Sequence, residues 1–84
     1  MNVKVYSTPT CPYCHMVKDF LKKNNVQFAD IDVSKDQKAA SEMISRSGQM
    51  GVPQTEINGK IIIGFDQKAI EEELRKAGAL KAKA

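Results

Sequence analysis

Cysteine is scarce in this chain: 84 residues contain two, Cys11 and Cys14. Two thiols cannot complete a four-thiolate metal site within one chain. A bond between positions so close would close a very short loop and add little stability, so the pair is not a structural staple. Long apolar runs are also missing, and no stretch has the length and flanks of a signal peptide or a membrane span. Met1-Asn2-Val3-Lys4 runs straight into a strand, and a cytoplasmic protein with no membrane partner is expected. In that compartment thiols stay reduced, and a close cysteine pair is more often catalytic or metal-binding than structural. Charge of one sign is not concentrated either: the net charge is +3, with lysines interleaved among acids. Nucleic-acid binding usually shows a clustered basic face, so no such partner is expected. There is no internal repeat, low-complexity segment or linker, and at 42% hydrophobic and 27% charged residues the chain reads as one globular domain over residues 1–84.

What is present has a clear local grammar. Val3-Lys4-Val5-Tyr6 alternates and is rich in β-formers, which predicts a strand ending near Ser7. Pro9 and Thr10 break it. From Pro12 the period becomes helical, with Cys14, Val17 and Leu21 on one stripe and Phe20 beside it, until Asn24-Asn25. Pro12 suits a first helical turn, where its missing amide hydrogen has no intrahelical partner to lose. Residues 26–33 read as a second strand. Ser34 and Gln37 fit a capping box that opens a helix burying Ala40, Met43, Ile44 and Ser47, with Gly48 ending it. Thr55-Glu56-Ile57 and Lys60-Ile61-Ile62-Ile63 flank Asn58-Gly59, the dipeptide favoured in a type I′ hairpin because both turn residues need positive φ. Asp66 caps a last helix carrying Ile70, Leu74 and Ala77, closed by Gly78. Residues 79–84 read as a frayed tail.

The order β-α-β-α-β-β-α sets two parallel strands, joined by a crossover helix, beside an antiparallel hairpin. A Cys-x-x-Cys after the first strand of such a unit is the sign of a thioredoxin-like redox fold: a four-stranded mixed sheet flanked by three helices. At a helix start, unpaired amides and the positive end of the dipole favour a thiolate, which suits Cys11 as nucleophile. Cys14 lies one turn inside on the apolar stripe, shielded, and suits the role of resolving thiol.

The segment from Tyr6 to His15, Gly51-Val52-Pro53-Gln54, and Gly64-Phe65-Asp66 together make residues 2–77 resemble the glutaredoxins, in particular the short prokaryotic glutaredoxin-like proteins. The resemblance implies a thiol–disulfide oxidoreductase with a redox-active Cys11–Cys14 disulfide. Its expected partners are disulfide-containing or glutathionylated proteins, its expected co-substrate is glutathione with no tightly bound cofactor, and a monomer is expected. It implies a cis Val52–Pro53 bond that presents the Val52 backbone to a substrate strand. It further implies that Phe65, Asp66 and Gln67 meet the γ-glutamyl end of glutathione, Asp66 at the ammonium group and the Asp66 and Gln67 amides at the carboxylate. Tyr13 would wall the substrate groove, and Gln49 would contact glutathione.

The chain departs from the glutathione-using pattern at Thr8, where those proteins commonly carry a lysine, and at Phe65 and Gln67. The Gly64-Phe65 pair is similar to glutaredoxin-like proteins fed by thioredoxin reductase, so that enzyme is a second candidate reductant. Lys18, seven residues after Cys11, reads as a solvated surface lysine, the alternative being that it adds positive field. Two other classes fit parts of the sequence. A dimer could carry an iron–sulfur cluster on Cys11 of each chain with external thiols. Cys11 to His15 also satisfies the C-x-x-C-H haem-attachment pattern, although haem attachment implies export and a mostly helical chain.

Overall fold

The computed structural model describes residues 3–78. Among them the elements run β1 (Val3–Ser7), α1 (Pro12–Lys23), β2 (Ala29–Asp32), α2 (Gln37–Ser47), β3 (Gln54–Ile57), β4 (Lys60–Ile63) and α3 (Gln67–Lys76). The expected tail at 79–84 lies outside the described residues. The sheet order is β2-β1-β3-β4, with β1 parallel to β2, antiparallel to β3, and β3 antiparallel to β4. This is the expected four-stranded mixed sheet with three helices.

Both faces of the central strands are covered, and the residues of each strand sort by the period of two. Val3 and Val5 of β1, Val17 and Leu21 of α1, and Ile70 and Leu74 of α3 share one buried cluster, the larger of two. Fully burying one such aliphatic side chain contributes ~1.5–3 kcal/mol, so this layer carries most of the stabilisation. On the other face Tyr6 packs against Ala39 and Met43 of α2. The hairpin turn has the expected backbone, with φ 49° at Asn58 and 89° at Gly59. Helix α2 ends on Gly48 at φ 74°, a left-handed conformation open to glycine at little steric cost.

Three expectations about local structure need correction. The second strand is four residues long rather than eight, because the chain leaves α1 through a left-handed Asn25 (φ 57°) and the Val26 amide still donates to Leu21 O at 2.9 Å. Val26 is buried as a plug under the helix end, not as a strand residue. The cap of α2 is Asp36, whose carboxylate accepts from the Ala39 amide at 3.0 Å. Ser34 is taken up elsewhere, its amide and hydroxyl both donating to Asp32 Oδ1. The buried stripe of α2 is Ala39 and Met43, not Ala40, Met43, Ile44 and Ser47, and Ile44 is exposed. Arg46 continues the observed stripe, one turn after Met43, and pairs at 2.6 Å with Glu56 of β3, whose side chain is 7% exposed. That pair turns the Ala39–Met43 side of the helix to the sheet and leaves Ile44 outside.

Candidate active site around Cys11 and Cys14

The site lies where β1 hands over to α1. Cys11 is the N-cap residue, with extended backbone (φ −93°, ψ 113°), and Pro12 occupies the first turn. Helices leave their first amides without intrahelical partners. One of them, the Cys14 amide, donates to Cys11 Sγ at 3.2 Å. A capping side chain is ordinarily an oxygen; here sulfur takes its place, so whatever negative charge it carries faces a backbone donor. His15 secures the approach to the helix, Nε2 donating to the Pro9 carbonyl at 3.0 Å.

Cys14 has a different environment. It is 0% exposed, and both cysteines are free thiols. Burial pushes the Cys14 thiol up to about 11; its hydrogen bond to Cys11 acts in the same direction, and the Thr8 amide and the Lys18 charge act against it. The two sulfurs are therefore unequal, one capped by an amide and partly open, the other dry and holding its proton.

The second wall is the segment before β3. The Val52–Pro53 bond is cis, as expected. The Cys11 thiol donates to the Val52 carbonyl at 3.9 Å, so the Val52 backbone stands against the sulfur. Gln54, fully buried, holds this segment from beneath: Nε2 donates to Gln49 O at 3.0 Å and to Gly51 O at 2.8 Å. Gln54 was not among the sequence-derived site residues. As a polar side chain at a strand start, it carried no signal that it would serve the loop behind it.

The Gly64 amide donates to Pro53 O at 2.8 Å, which brings the start of α3 to the same corner. Asp66 caps α3, Oδ1 accepting from the Ala69 amide at 3.2 Å, and Gln67 opens the helix. Tyr13 is 61% exposed beside Cys11, and Gln49 is exposed in the loop before Val52. Phe65 also contacts the core. It is half-buried, its ring meeting Phe20 edge-on at 6.3 Å between centroids and packing on the larger core cluster, so its side chain serves the core. Thr8, where a lysine was looked for, offers its carbonyl to the Cys11 amide at 3.4 Å.

Lys18 corrects one expectation. Its side chain is 15% exposed rather than solvated, and Nζ pairs with Asp30 Oδ2 at 3.2 Å. Among the described residues no group of three or more His, Cys, Asp or Glu side chains is placed to hold a metal ion, and no helix is long and apolar enough to cross a membrane.

The glutaredoxin family model matches residues 3–62. An uncharacterized glutaredoxin-like 8.6 kDa protein in the rubredoxin operon of Clostridium pasteurianum is 46% identical over 74 residues, covering 88% of this chain and 99% of that protein. Glutaredoxin 3 of Escherichia coli K12 is 40% identical over 65 residues, 77% of this chain and 78% of its own length. Among solved structures, the glutaredoxin of Archaeoglobus fulgidus superposes with a TM-score of 0.82 at 29% identity, covering 88% of this chain and 86% of that one. A close cysteine pair at the first helix start, a mixed sheet in this order and these similarities lead to one conclusion: the chain belongs to the glutaredoxin family of redox proteins.

Proposed function

We propose that this protein is a thiol–disulfide oxidoreductase that reduces protein disulfides or glutathione mixed disulfides through the Cys11–Cys14 dithiol. The observation that carries the reading is the inequality of the two sulfurs: the Cys14 amide donates to Cys11 Sγ at 3.2 Å, while the Cys14 thiol is fully buried. A thiolate is the nucleophile in disulfide exchange, and a partly open sulfur under a helix amide is the one suited to attack. Cys11 attacks a substrate sulfur and forms a mixed disulfide, expelling the other substrate sulfur as thiolate. Cys14 then attacks Cys11 Sγ and frees the second substrate thiol, leaving the Cys11–Cys14 disulfide. Alternatively, an external thiol such as glutathione releases Cys11 without Cys14.

The Val52 backbone beside Cys11 supports binding of the substrate chain as a short added strand, with Tyr13, Gln49 and Pro53 as further contacts of the bound substrate. The start of α3 supports a glutathione site, in which Asp66 takes the ammonium group and the Asp66 and Gln67 amides take the carboxylate. Two reductants fit. Asp66 at an exposed helix start favours glutathione, whereas Thr8 supplies no cation for a glutathione carboxylate and leaves thioredoxin reductase as the other electron source. The cell interior, with its reduced thiol pool, is the fitting compartment.

Turnover of a glutathionylated peptide and of a disulfide protein, each with glutathione plus glutathione reductase and with thioredoxin reductase, tests the proposal. Activity with at least one reductant, abolished in Cys11→Ser, is expected. No turnover with either would refute it.

A further inference from the structure

The Cys14 sulfur has to become a thiolate in a dry place, and the groups around it are few. They are Cys11 from the helix cap, the Thr8 amide from the segment after β1, and Lys18 from one turn further along α1. Residues four apart on a helix have neighbouring Cβ atoms, so the Lys18 side chain leaves α1 beside Cys14. Free lysine side chains extend into water, but this one is held inward. Its ammonium is fixed by Asp30 of β2 at 3.2 Å, and Asp30 is fixed from below by Ser7, whose hydroxyl donates to Oδ1 at 2.9 Å. Ser7 is itself 2% exposed, so the chain of contacts is anchored in the sheet. Lys18 and Asp30 also line a groove at the α1–β2 edge, together with His15, Asp19 and Lys22, that opens to solvent.

We propose that Lys18, held by Asp30 and through it by Ser7, is a positioning residue for the second step, presenting its ammonium to the Cys14 sulfur as the negative charge develops there. The inference rests on the roles given to Cys11 and Cys14 above. In the step concerned Cys14 gives up its proton, which ends on the departing substrate sulfur or in solvent, the bond between the Cys14 and Cys11 sulfurs forms, and the bond from Cys11 to the substrate sulfur breaks. The electron pair leaves with the substrate thiolate, so the dithiol is oxidised and the mixed disulfide reduced. Lys18 acts only on the first of these events. It has no part in the attack by Cys11.

Rapid mixing of the reduced protein with the symmetrical disulfide of thionitrobenzoate separates the steps, because one coloured thiolate is released when Cys11 attacks and a second when Cys14 resolves. Lys18→Met keeps the aliphatic stem and removes the charge. At an effective dielectric of about 20, a unit charge about 10 Å away is worth on the order of tenfold in the population of an anion. The second release is therefore expected to slow about tenfold, the first to stay within about twofold of wild type, and Lys18→Arg to restore the second. Asp30→Ala, which leaves α1 untouched, is expected to slow the second release severalfold, and it decides the matter if Lys18→Met does not fold. An unchanged second release in Lys18→Met, equal slowing of both releases, or no rescue by arginine would overturn the inference, as would an unchanged or faster second release in Asp30→Ala. A first release that persists in Cys11→Ser would instead overturn the roles of the two cysteines themselves.

Discussion

The buried Cys14 thiol imposes a pH dependence on the resolving step that an exposed thiol would not show. Its pKa is pushed from 9.0 up to about 11, by burial first and by the hydrogen bond to Cys11 second. Once Cys11 is in a mixed disulfide the second cause is gone, but burial persists. A two-unit rise lowers the thiolate fraction near neutrality about 100-fold, while the more basic thiolate is more nucleophilic by about tenfold, for a Brønsted slope near ~0.45. With the Cys11 contribution gone the rise is smaller than two units, so the resolving step is up to about tenfold slower at pH 7 than an unshifted thiol would give, climbing about tenfold per pH unit and levelling only above about 9. Stopped-flow absorbance of the second thionitrobenzoate released, followed from pH 6 to 11, reads this directly. A rate that has levelled by about pH 9 would refute the reasoning, because the thiol would then be ionising as if exposed to water.

Other outcomes follow from the same contacts. The folded Cys14 thiol keeps its proton to about 11, whereas the unfolded chain releases it at 9.0, so its contribution to folding is complete below pH 9.0 and is lost as the pH rises through about 11. Urea unfolding of the reduced protein should lose on the order of 2 kcal/mol more over that window than Cys14→Ala does; parallel curves would contradict the assignment. Asp66→Ala removes the cap on the Ala69 amide and should cost about 1 kcal/mol in urea unfolding, whereas Asp66→Asn keeps a capping oxygen and should cost little. If Asp66 also takes the glutathione ammonium group, Asp66→Asn raises the KM for glutathione with stability unchanged; an unchanged KM would confine Asp66 to capping.

Much of this was legible in the residues because local chemistry and tertiary structure agree there. Asn58-Gly59 can close a type I′ turn, and Asp66 and Gly48 sit where a helix begins and ends. The places of Cys11 and Cys14 were legible too, one before the first helical residue and one on the buried stripe. What could not be read was decided by which of several available partners each side chain took. Ser34 had the makings of a cap but was claimed by Asp32, and Asp36 took its place. The face of α2 depended on Arg46 finding Glu56, a strand residue that reads as a surface acid until β3 is covered on both sides. Lys18 reads as a surface lysine until β2 brings Asp30 across to it, and Gln54, read only as the end of Gly51-Val52-Pro53-Gln54, gains its partners once the loop from Gln49 to Gly51 folds over it.

The central claim is that one sulfur attacks and the other resolves. Cys14→Ser, incubated with a glutathionylated peptide and analysed by intact and peptide mass spectrometry, should carry a single mixed disulfide, located on Cys11, and should still turn over with excess glutathione. Cys11→Ser treated alike should stay unmodified. Modification at Cys14 in the Cys11→Ser variant, or no adduct on Cys11 in the Cys14→Ser variant, would contradict the account.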